Sequence, residues 1–537
     1  MSLKELVEQH VPNHPKPAGI TFTYGTAGFR MHAKYLDYVN YTVGILASLR
    51  SKSLGGKTVG VMITASHNPP QDNGVKVVDP LGSMLETKWE TFACQLANSS
   101  EPDLIKTIEG LAKGLDIDLN STSSVVIARD SRESSPALNK ATIDGFKSVP
   151  NTKYVDLGLL TTPELHYITR TFNESSFGER NEEGYYKKLA DSFRQIFDLS
   201  NRNRNGNEKI DITIDAANGV GAPKIDALLK KYLSDKVSFE IVNGDYETPS
   251  LLNYDCGADF VKTNQKLPKN VQPVSNRLYA SFDGDADRLI CYYKNSNDDF
   301  VLLDGDKIST LIALFLQQIF KDIDSSKLKL DIGVVQTAYA NGSSTNYVED
   351  VLELPVRCTP TGVKHLHHEA EKFDIGVYFE ANGHGTVVFK NEAERKIYDY
   401  KSSSPKEETA VKVLQNFSQL INQTVGDAIS DLLVVLVILH YLDLTPEQWN
   451  KAYSDLPNKL VKVVVPDRTI FKTTNAERTL IEPKGLQGKI DDLVAKYPQG
   501  RSFVRASGTE DAVRVYAEAD TKENVEALSS AVADLLK

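Results

Sequence analysis

In Leu278-Tyr279-Ala280-Ser281-Phe282-Asp283-Gly284-Asp285-Ala286-Asp287-Arg288, a short apolar run breaks into a loop with carboxylates at i, i+2 and i+4. The run predicts a strand over 278–282 buried on both faces, as in parallel or mixed sheets covered by helices. The loop predicts a hard-cation site, because the small Gly284 and Ala286 let a tight turn aim all three carboxylates at one ion. An EF-hand would need glycine at its sixth position and glutamate at its twelfth, where Arg288 and Lys294 stand, so calcium by that route is excluded. Three monodentate carboxylates leave coordination positions for a phosphate oxygen, which suits Mg²⁺. The bland alternative is a solvated acidic turn; three acids this close repel unless a cation neutralises them.

The same pattern of β-rich run and polar loop recurs on either side. Runs at Val59–Ile63, Val125–Ala128, Ile212–Ile214, Ile332–Val335 and Ile375–Phe379 each end in small and polar residues. Helical periodicity falls between them, at Tyr185–Leu199, Ile308–Phe320 and Val363–Phe373, the second opened by Asp304 and Asp306 as capping candidates. The alternation predicts α/β domains whose chemistry collects in the loops beyond the strand ends. Polar stretches at Ser200–Glu208 and Lys401–Glu408 read as loops or linkers, and Lys294–Asp299 as a hairpin tip. From Leu460 the pattern is that of a smaller α+β domain ending in a helix over Asn524–Leu536, with Asp520 and Glu523 as its capping box.

A chain of 537 residues accommodates about three or four such domains. Its 61 basic and 72 acidic residues sum to −11, the wrong sign for broad contact with nucleic acid or anionic lipid. Cys94, Cys256, Cys291 and Cys358 are scattered and form no C-x-x-C pair, so reduced thiols are expected. The segment Met1–Lys16 lacks the apolar core of a secretory peptide, and the longest apolar run, Leu432–Leu439, falls short of a membrane span and predicts a buried helix. A cytoplasmic location follows as the expectation, with no obligate protein partner legible.

Three further loops carry chemistry. Thr64-Ala65-Ser66-His67-Asn68-Pro69-Pro70 sets a serine hydroxyl, expected to be exposed, beside an imidazole at a strand end, a plausible nucleophile or simply turn chemistry; the flanking glycines of a hydrolase elbow are missing. Arg505-Ala506-Ser507-Gly508-Thr509-Glu510 joins a guanidinium to hydroxyls and a glycine nest, a phosphate clamp unlike a P-loop, or otherwise a strand turn with an incidental arginine. Glu380-Ala381-Asn382-Gly383-His384-Gly385 mixes carboxylate, amide and imidazole around glycines, as suits sugar hydroxyls, and alone could equally be a turn. Gly219-Val220-Gly221 is half a dinucleotide fingerprint with Lys224 in place of its third glycine and is set aside, and His365, His367 and His368 read as a solvated helix face rather than a zinc site.

Taken together and in this order, the Ser66 loop, the Asp283–Arg288 loop, the Glu380 loop and the Arg505 loop resemble the α-D-phosphohexomutases over essentially the whole chain. The resemblance implies a heart-shaped, four-domain architecture: three α/β domains with mixed sheets and a smaller C-terminal α+β domain around a central cleft. The expected boundaries are 1–180, 181–303, 304–455 and 456–537. It implies a phosphorylated Ser66, one Mg²⁺ per chain held by phospho-Ser66, Asp283, Asp285 and Asp287, and a sugar 1,6-bisphosphate as activator. Arg30, in Gly25-Thr26-Ala27-Gly28-Phe29-Arg30, and Lys76 match positions that neutralise charge at the transferring group, while His67, Lys76 and His384 are the proton-transfer candidates. Substrate contacts are implied at Arg288, Thr361, Gly362, Lys364, Glu380, Asn382, His384, Arg505, Ser507, Gly508, Thr509 and Arg514. Asn382 stands where relatives acting on glucose or mannose phosphates usually have serine, and the strand before Asp130-Ser131-Arg132 follows the serine loop instead of preceding it. Both features resemble the branch that acts on acetylglucosamine phosphates. The implied reaction is interconversion of N-acetylglucosamine 6-phosphate and 1-phosphate, an isomerisation by intramolecular phosphotransfer. Interconversion of glucose or mannose phosphates is the runner-up. Phosphotransfer through an aspartyl phosphate at Asp283, and a non-catalytic sugar-phosphate binder, are the outside alternatives.

Overall fold

The computed structural model describes residues 1–25, 27–200, 209–507 and 512–536. They fall into two compact units: Met1–Leu302 with Asn416–Tyr441, and Leu303–Gln415 with Leu442–Lys537.

In the first unit, strands β1 (Phe29–His32), β2 (Thr58–Ile63), β3 (Asp72–Val78), β4 (Ser123–Arg129) and β5 (Thr152–Leu159) form a mixed sheet of order β1-β3-β2-β4-β5. Every residue of β2 is buried, because β2 lies inside the sheet, antiparallel to β3 and parallel to β4, with helices over its faces. Strands β6 (Ile210–Asp215), β7 (Val237–Val242), β8 (Tyr279–Phe282), β9 (Leu289–Lys294) and β10 (Phe300–Leu303) form a second mixed sheet, ordered β10-β9-β8-β6-β7. The expected strand over 278–282 is β8, wholly buried, and it turns through the acidic loop into antiparallel β9, Phe282 opposite Leu289.

The apolar run at Leu432–Leu439 lies in the helix Ala428–Leu442, buried from Ala428 through His440. This helix is part of the first unit: Ala428 N–H donates to Ala286 O at 3.0 Å, and the His440 ring stacks on Phe197 with centroids 3.8 Å apart. Just before it, Asp427 Oδ2 accepts from Tyr185 Oη at 2.7 Å. Burying a leucine or valine stabilises by roughly 1.5–3 kcal/mol, so a helix apolar on all sides is held by packing.

In the second unit, β11 (Ile332–Thr337), β12 (Val356–Thr359), β13 (Ile375–Phe379) and β14 (Gly385–Phe389) form a sheet ordered β12-β11-β13-β14, parallel except for β14. The helix Gly305–Phe320 is capped by Asp304, whose side chain accepts from the N–H groups of Asp306 and Lys307. The C-terminal region is smaller and α+β: β15 (Asn458–Val464), β18 (Arg501–Ala506) and β19 (Ala512–Glu518) form an antiparallel sheet beside the β16–β17 ribbon (Lys472–Thr474, Thr479–Glu482). Three mixed sheets and this last domain are the α/β architecture expected. No described helix is long and apolar enough to cross a membrane.

Local expectations need correction in three places. Lys401–Glu408 is only half a loop, since a helix begins at Pro405. The cap of the final helix, Lys522–Asp534, is Thr521, which accepts from Asn524 N–H, and not Asp520. The helix expected over Val363–Phe373 ends at Ala370, and His367 within it is buried against Tyr378 Oη at 3.0 Å, leaving only His365 and His368 on the solvated face. Most of the Ser200–Glu208 stretch lies outside the described residues.

Candidate functional site

Ser66 and the acidic loop meet within the first unit. The Ser66 Oγ–H donates to Asp283 Oδ2 at 2.5 Å, and the hydroxyl, expected to be exposed, sits in a residue only 1% exposed. Ser66 has φ 51° and Ala286 φ 57°, left-handed conformations that cost non-glycine residues roughly 1–2 kcal/mol each and are held only by surrounding bonds. At Gly284 the two loops approach so closely that a Cβ would lie 2.6 Å from Ser66 O, so no larger residue fits.

The carboxylates of Asp283, Asp285 and Asp287 are buried and offer ligand atoms within 4.8 Å of one another. Asp283 Oδ1 accepts from the N–H groups of Asp287 (2.9 Å) and Arg288 (3.1 Å), which folds the loop back on its first residue. Asp285 Oδ2 accepts from the hydroxyls of Thr162 (2.7 Å) and Thr64 (3.1 Å), while its Oδ1 is buried with no hydrogen-bond partner among the described residues. Burial first, and then the charges of Asp287 and Asp285, push Asp283 well above the ordinary carboxylate range. Asp285 is raised likewise by burial and Asp287, against the pull of Lys76, Thr162 and Arg30. Ionised carboxylates in this setting call for a cation, and an all-oxygen donor set with one uncommitted buried oxygen fits Mg²⁺.

Basic groups surround this cluster. Arg30 reaches Asn68 Oδ1 with Nη1 at 3.5 Å and keeps Nε buried without a hydrogen-bond partner among the described residues. Arg288 Nε lies 3.9 Å from Asp283 Oδ2 and 3.8 Å from Asp287 Oδ1. Burial lowers the pKa of Lys76, opposed by the charges of Asp287 and Asp285. Burial and then the neighbouring Arg288 and Arg30 push His67 down to about 3, so its imidazole is neutral.

The second unit carries the other predicted residues. Glu380, Asn382 and His384 lie in the β13–β14 turn, where Glu380 N–H donates to His384 O at 2.9 Å. The Asn382 amide organises this turn, its Oδ1 accepting from His384 N–H (3.0 Å) and its Nδ2 donating to Glu380 Oε2 (3.3 Å). Arg505, at the end of β18, pairs across the sheet with Arg514 on β19. Arg505 donates from Nε to Tyr339 Oη (2.9 Å) and from Nη1 to Glu477 Oε1 (3.2 Å). The other oxygen of Glu477 accepts from Thr361 N–H (3.0 Å) and Thr361 Oγ1 (2.6 Å), so one carboxylate ties the arginine to the Thr361-Gly362-Val363-Lys364 turn. Gly362 takes φ 124° immediately before the helix that Val363 and Lys364 begin. Ser507 N–H donates to Ala512 O at 2.8 Å. Gly508 and Thr509 lie outside the described residues, as does Thr26.

Sequence reasoning missed Thr162, Asn253, Tyr339 and Glu477, and gave Arg132 no role. Thr162 had a signal, since Thr161-Thr162-Pro163-Glu164 is a capping box that could have pointed to a helix N-terminus at the cluster. Glu477 and Tyr339 had none, because they reach the site only through tertiary packing.

Family models cover most of the chain. They are Phosphoglucomutase/phosphomannomutase, alpha/beta/alpha domain I, over 46–103 and 98–178, and Phosphoacetylglucosamine mutase AMG1, domain II, over 178–290 and domain III over 304–444. The phosphoglucomutase/phosphomannomutase C-terminal domain matches 460–535. The phosphoacetylglucosamine mutase of Candida albicans is 71% identical, with both chains covered in full. A crystal structure of N-acetylglucosamine-phosphate mutase in its substrate complex superposes with a TM-score of 0.98 at 72% identity over the whole of both chains. The Aspergillus fumigatus N-acetylphosphoglucosamine mutase in complex with GlcNAc-6P and magnesium superposes at 0.95 with 47% identity, covering 100% of this chain and 98% of that one. On this sequence identity and these shared domains, the chain belongs to the phosphoacetylglucosamine mutases of the α-D-phosphohexomutase superfamily.

Proposed function

We propose that Ser66 carries the phosphoryl group in the reaction of this family, the interconversion of N-acetylglucosamine 6-phosphate and N-acetylglucosamine 1-phosphate. The observation that carries this assignment is the 2.5 Å bond from Ser66 Oγ to Asp283 Oδ2, made by a buried serine held in a left-handed conformation beside three carboxylates. Phosphoryl transfer needs positioning and charge neutralisation more than covalent assistance.

In the first half-reaction the P–Oγ bond of phospho-Ser66 breaks as a bond forms from phosphorus to the free sugar hydroxyl, whose proton leaves to a base. The bisphosphate so formed returns its other phosphoryl group to Ser66 in the reverse chemistry, which regenerates the enzyme and releases the isomeric monophosphate. A sugar 1,6-bisphosphate accordingly primes the enzyme. Mg²⁺ held by Asp283, Asp285, Asp287 and the serine phosphate neutralises charge on the transferring group. Arg30 and Arg288 direct guanidinium donors at the same group. Lys76, with its ammonium destabilised by burial, is a better base for the hydroxyl proton than His67, whose imidazole is held neutral by its low basicity and so takes up a proton poorly. Glu380, Asn382, His384, Thr361, Gly362 and Lys364 address the sugar, and Arg505, Arg514, Ser507, Gly508 and Thr509 the phosphate that is not being transferred.

An aspartyl phosphate at Asp283 is disfavoured because both its oxygens are engaged, Oδ1 by two backbone amides and Oδ2 by Ser66. The four domains are assigned to 1–180, 181–303, 304–455 and 456–537, and the location to the cytoplasm, with small sugar phosphates as the partners. The test is to label the enzyme with a radioactive sugar 1,6-bisphosphate and map the phosphate. An acid- and hydroxylamine-stable label on the Ser66 peptide is expected, and a hydroxylamine-labile label on Asp283 would overturn the assignment.

A further inference from the structure

Behind the serine loop stands a guanidinium with no exposed side-chain surface, that of Arg132. All five of its N–H donors are used. Nε donates to Asp130 Oδ2 (3.1 Å), Nη1 to the carbonyls of Pro69 (2.6 Å) and Asp72 (2.9 Å), and Nη2 to those of Ser66 (2.8 Å) and Asn68 (2.9 Å). Asp130 fixes the arginine in turn, its Oδ1 accepting from Arg132 N–H (3.1 Å) and Ser135 Oγ (2.6 Å). Asn253 Nδ2 donates to two of the same carbonyls, Ser66 O at 2.9 Å and Asn68 O at 3.3 Å.

Four carbonyls from a seven-residue span converge on one cation, and the first of them belongs to the residue in the left-handed conformation. Such a conformation persists only when its surroundings over-determine it. The Ser66 carbonyl is the fixed end of that residue, so holding it sets the direction in which Oγ leaves the chain.

We propose that Arg132 is a positioning residue for phosphoryl transfer: it aims Ser66 Oγ by gripping the carbonyl face of residues 66–72, and Asn253 is its second support. The inference rests on the reading of Ser66 as the phosphoryl carrier. Arginine is required because a planar fork delivers four carbonyl-directed donors in fixed geometry, whereas a lysine ammonium has three on a single nitrogen.

The test uses the full-length chain with Arg132→Lys, Arg132→Ala and Asn253→Ala, with Ser66→Ala alongside. A misplacement near 1 Å costs on the order of 10²-fold, so Arg132→Lys is expected to lose about that factor in kcat while KM stays within about threefold. Methylguanidinium should restore about tenfold of the Arg132→Ala loss by refilling the fork. Should the arginine variants fail to fold, Asn253→Ala carries the test: kcat should fall about tenfold with the thermal midpoint unchanged. Unchanged kcat in Arg132→Lys or Asn253→Ala, or a loss confined to KM, overturns the proposal. An active Ser66→Ala would instead refute the phosphoserine reading beneath it, whereas an inactive Ser66→Ala with a fully active Arg132→Lys removes only the positioning role.

Discussion

Replacing Thr162 with valine tests how the acidic loop is held ready for its cation. The substitution keeps the side-chain shape and deletes one hydroxyl, which donates to Asp285 Oδ2 at 2.7 Å in a fully buried setting. A hydrogen bond to a charged group contributes roughly 1.5–3 kcal/mol net. Thr64 keeps a second, longer bond of 3.1 Å to the same oxygen, so Asp285 is not orphaned and the lower part of that range applies, about 1.5–2 kcal/mol. At 1.36 kcal/mol per factor of ten, Mg²⁺ affinity should weaken roughly ten- to thirtyfold, because the bond both favours the ionised carboxylate and turns Oδ1 toward the ion. Isothermal titration of the metal-free protein with Mg²⁺ reads this directly, and excess Mg²⁺ should restore kcat. An affinity within twofold of the parent would refute the reasoning, as would a kcat deficit that persists at saturating Mg²⁺.

Ser66→Ala should lose three or more orders of magnitude in turnover while still binding sugar phosphate, checked by coupled assay and calorimetry. Arg505→Lys should raise KM for the monophosphate and release more free bisphosphate with Ser66 still phosphorylated, because a lysine cannot reproduce the fork now shared by Tyr339 and Glu477. Asn382→Ser removes the amide that ties His384 N–H to Glu380, and should cut the preference for N-acetylglucosamine phosphates over glucose phosphates by about tenfold in kcat/KM. His14 is pulled down by burial but raised overall by its bond to Asp37 at 2.8 Å and the charge of Asp144. A raised folded-state value means stabilisation that is complete below the unfolded pKa of 6.5 and lost as pH rises through the folded one, so the thermal midpoint should fall from pH 6 to 8 more steeply than in His14→Gln.

What was legible in the sequence was whatever short range could encode. Strands β2, β4, β6, β11 and β13 are Val/Ile-rich runs and β8 is a buried aromatic and small-residue run because both faces of each sheet are covered, and the loops after them are conspicuous because apolar runs frame them. The acidic cluster was legible because its ligands stand at alternate positions of one turn. Illegible were the groups that act across the chain. Thr162 reaches Asp285 over 123 positions and Glu477 reaches Thr361 over 116, distances at which no spacing rule operates. The burial of Ser66 was missed for a related reason: the residues that cover it come from Asp283, Gly284 and Asn253. Asn382 illustrates a different limit: its bonds to His384 N–H and Glu380, which organise the turn it sits in, could not be read from the Glu380–Gly385 motif alone.

The helix Ala428–Leu442 imposes a schedule on synthesis. Its buried face belongs to the unit that begins at Met1, yet the ribosome delivers it only after the whole of Leu303–Gln415 has been made. At ~5–20 residues per second that interval is on the order of ten seconds, during which the nascent first unit exposes the surface this helix will cover. A fragment ended at Leu302 would remain in that state permanently. The N-terminal half is thus not a separable module, and shortened versions that keep Ser66 and the acidic loop need the later helix restored to them, in cis or as an added peptide, before they hold a native core.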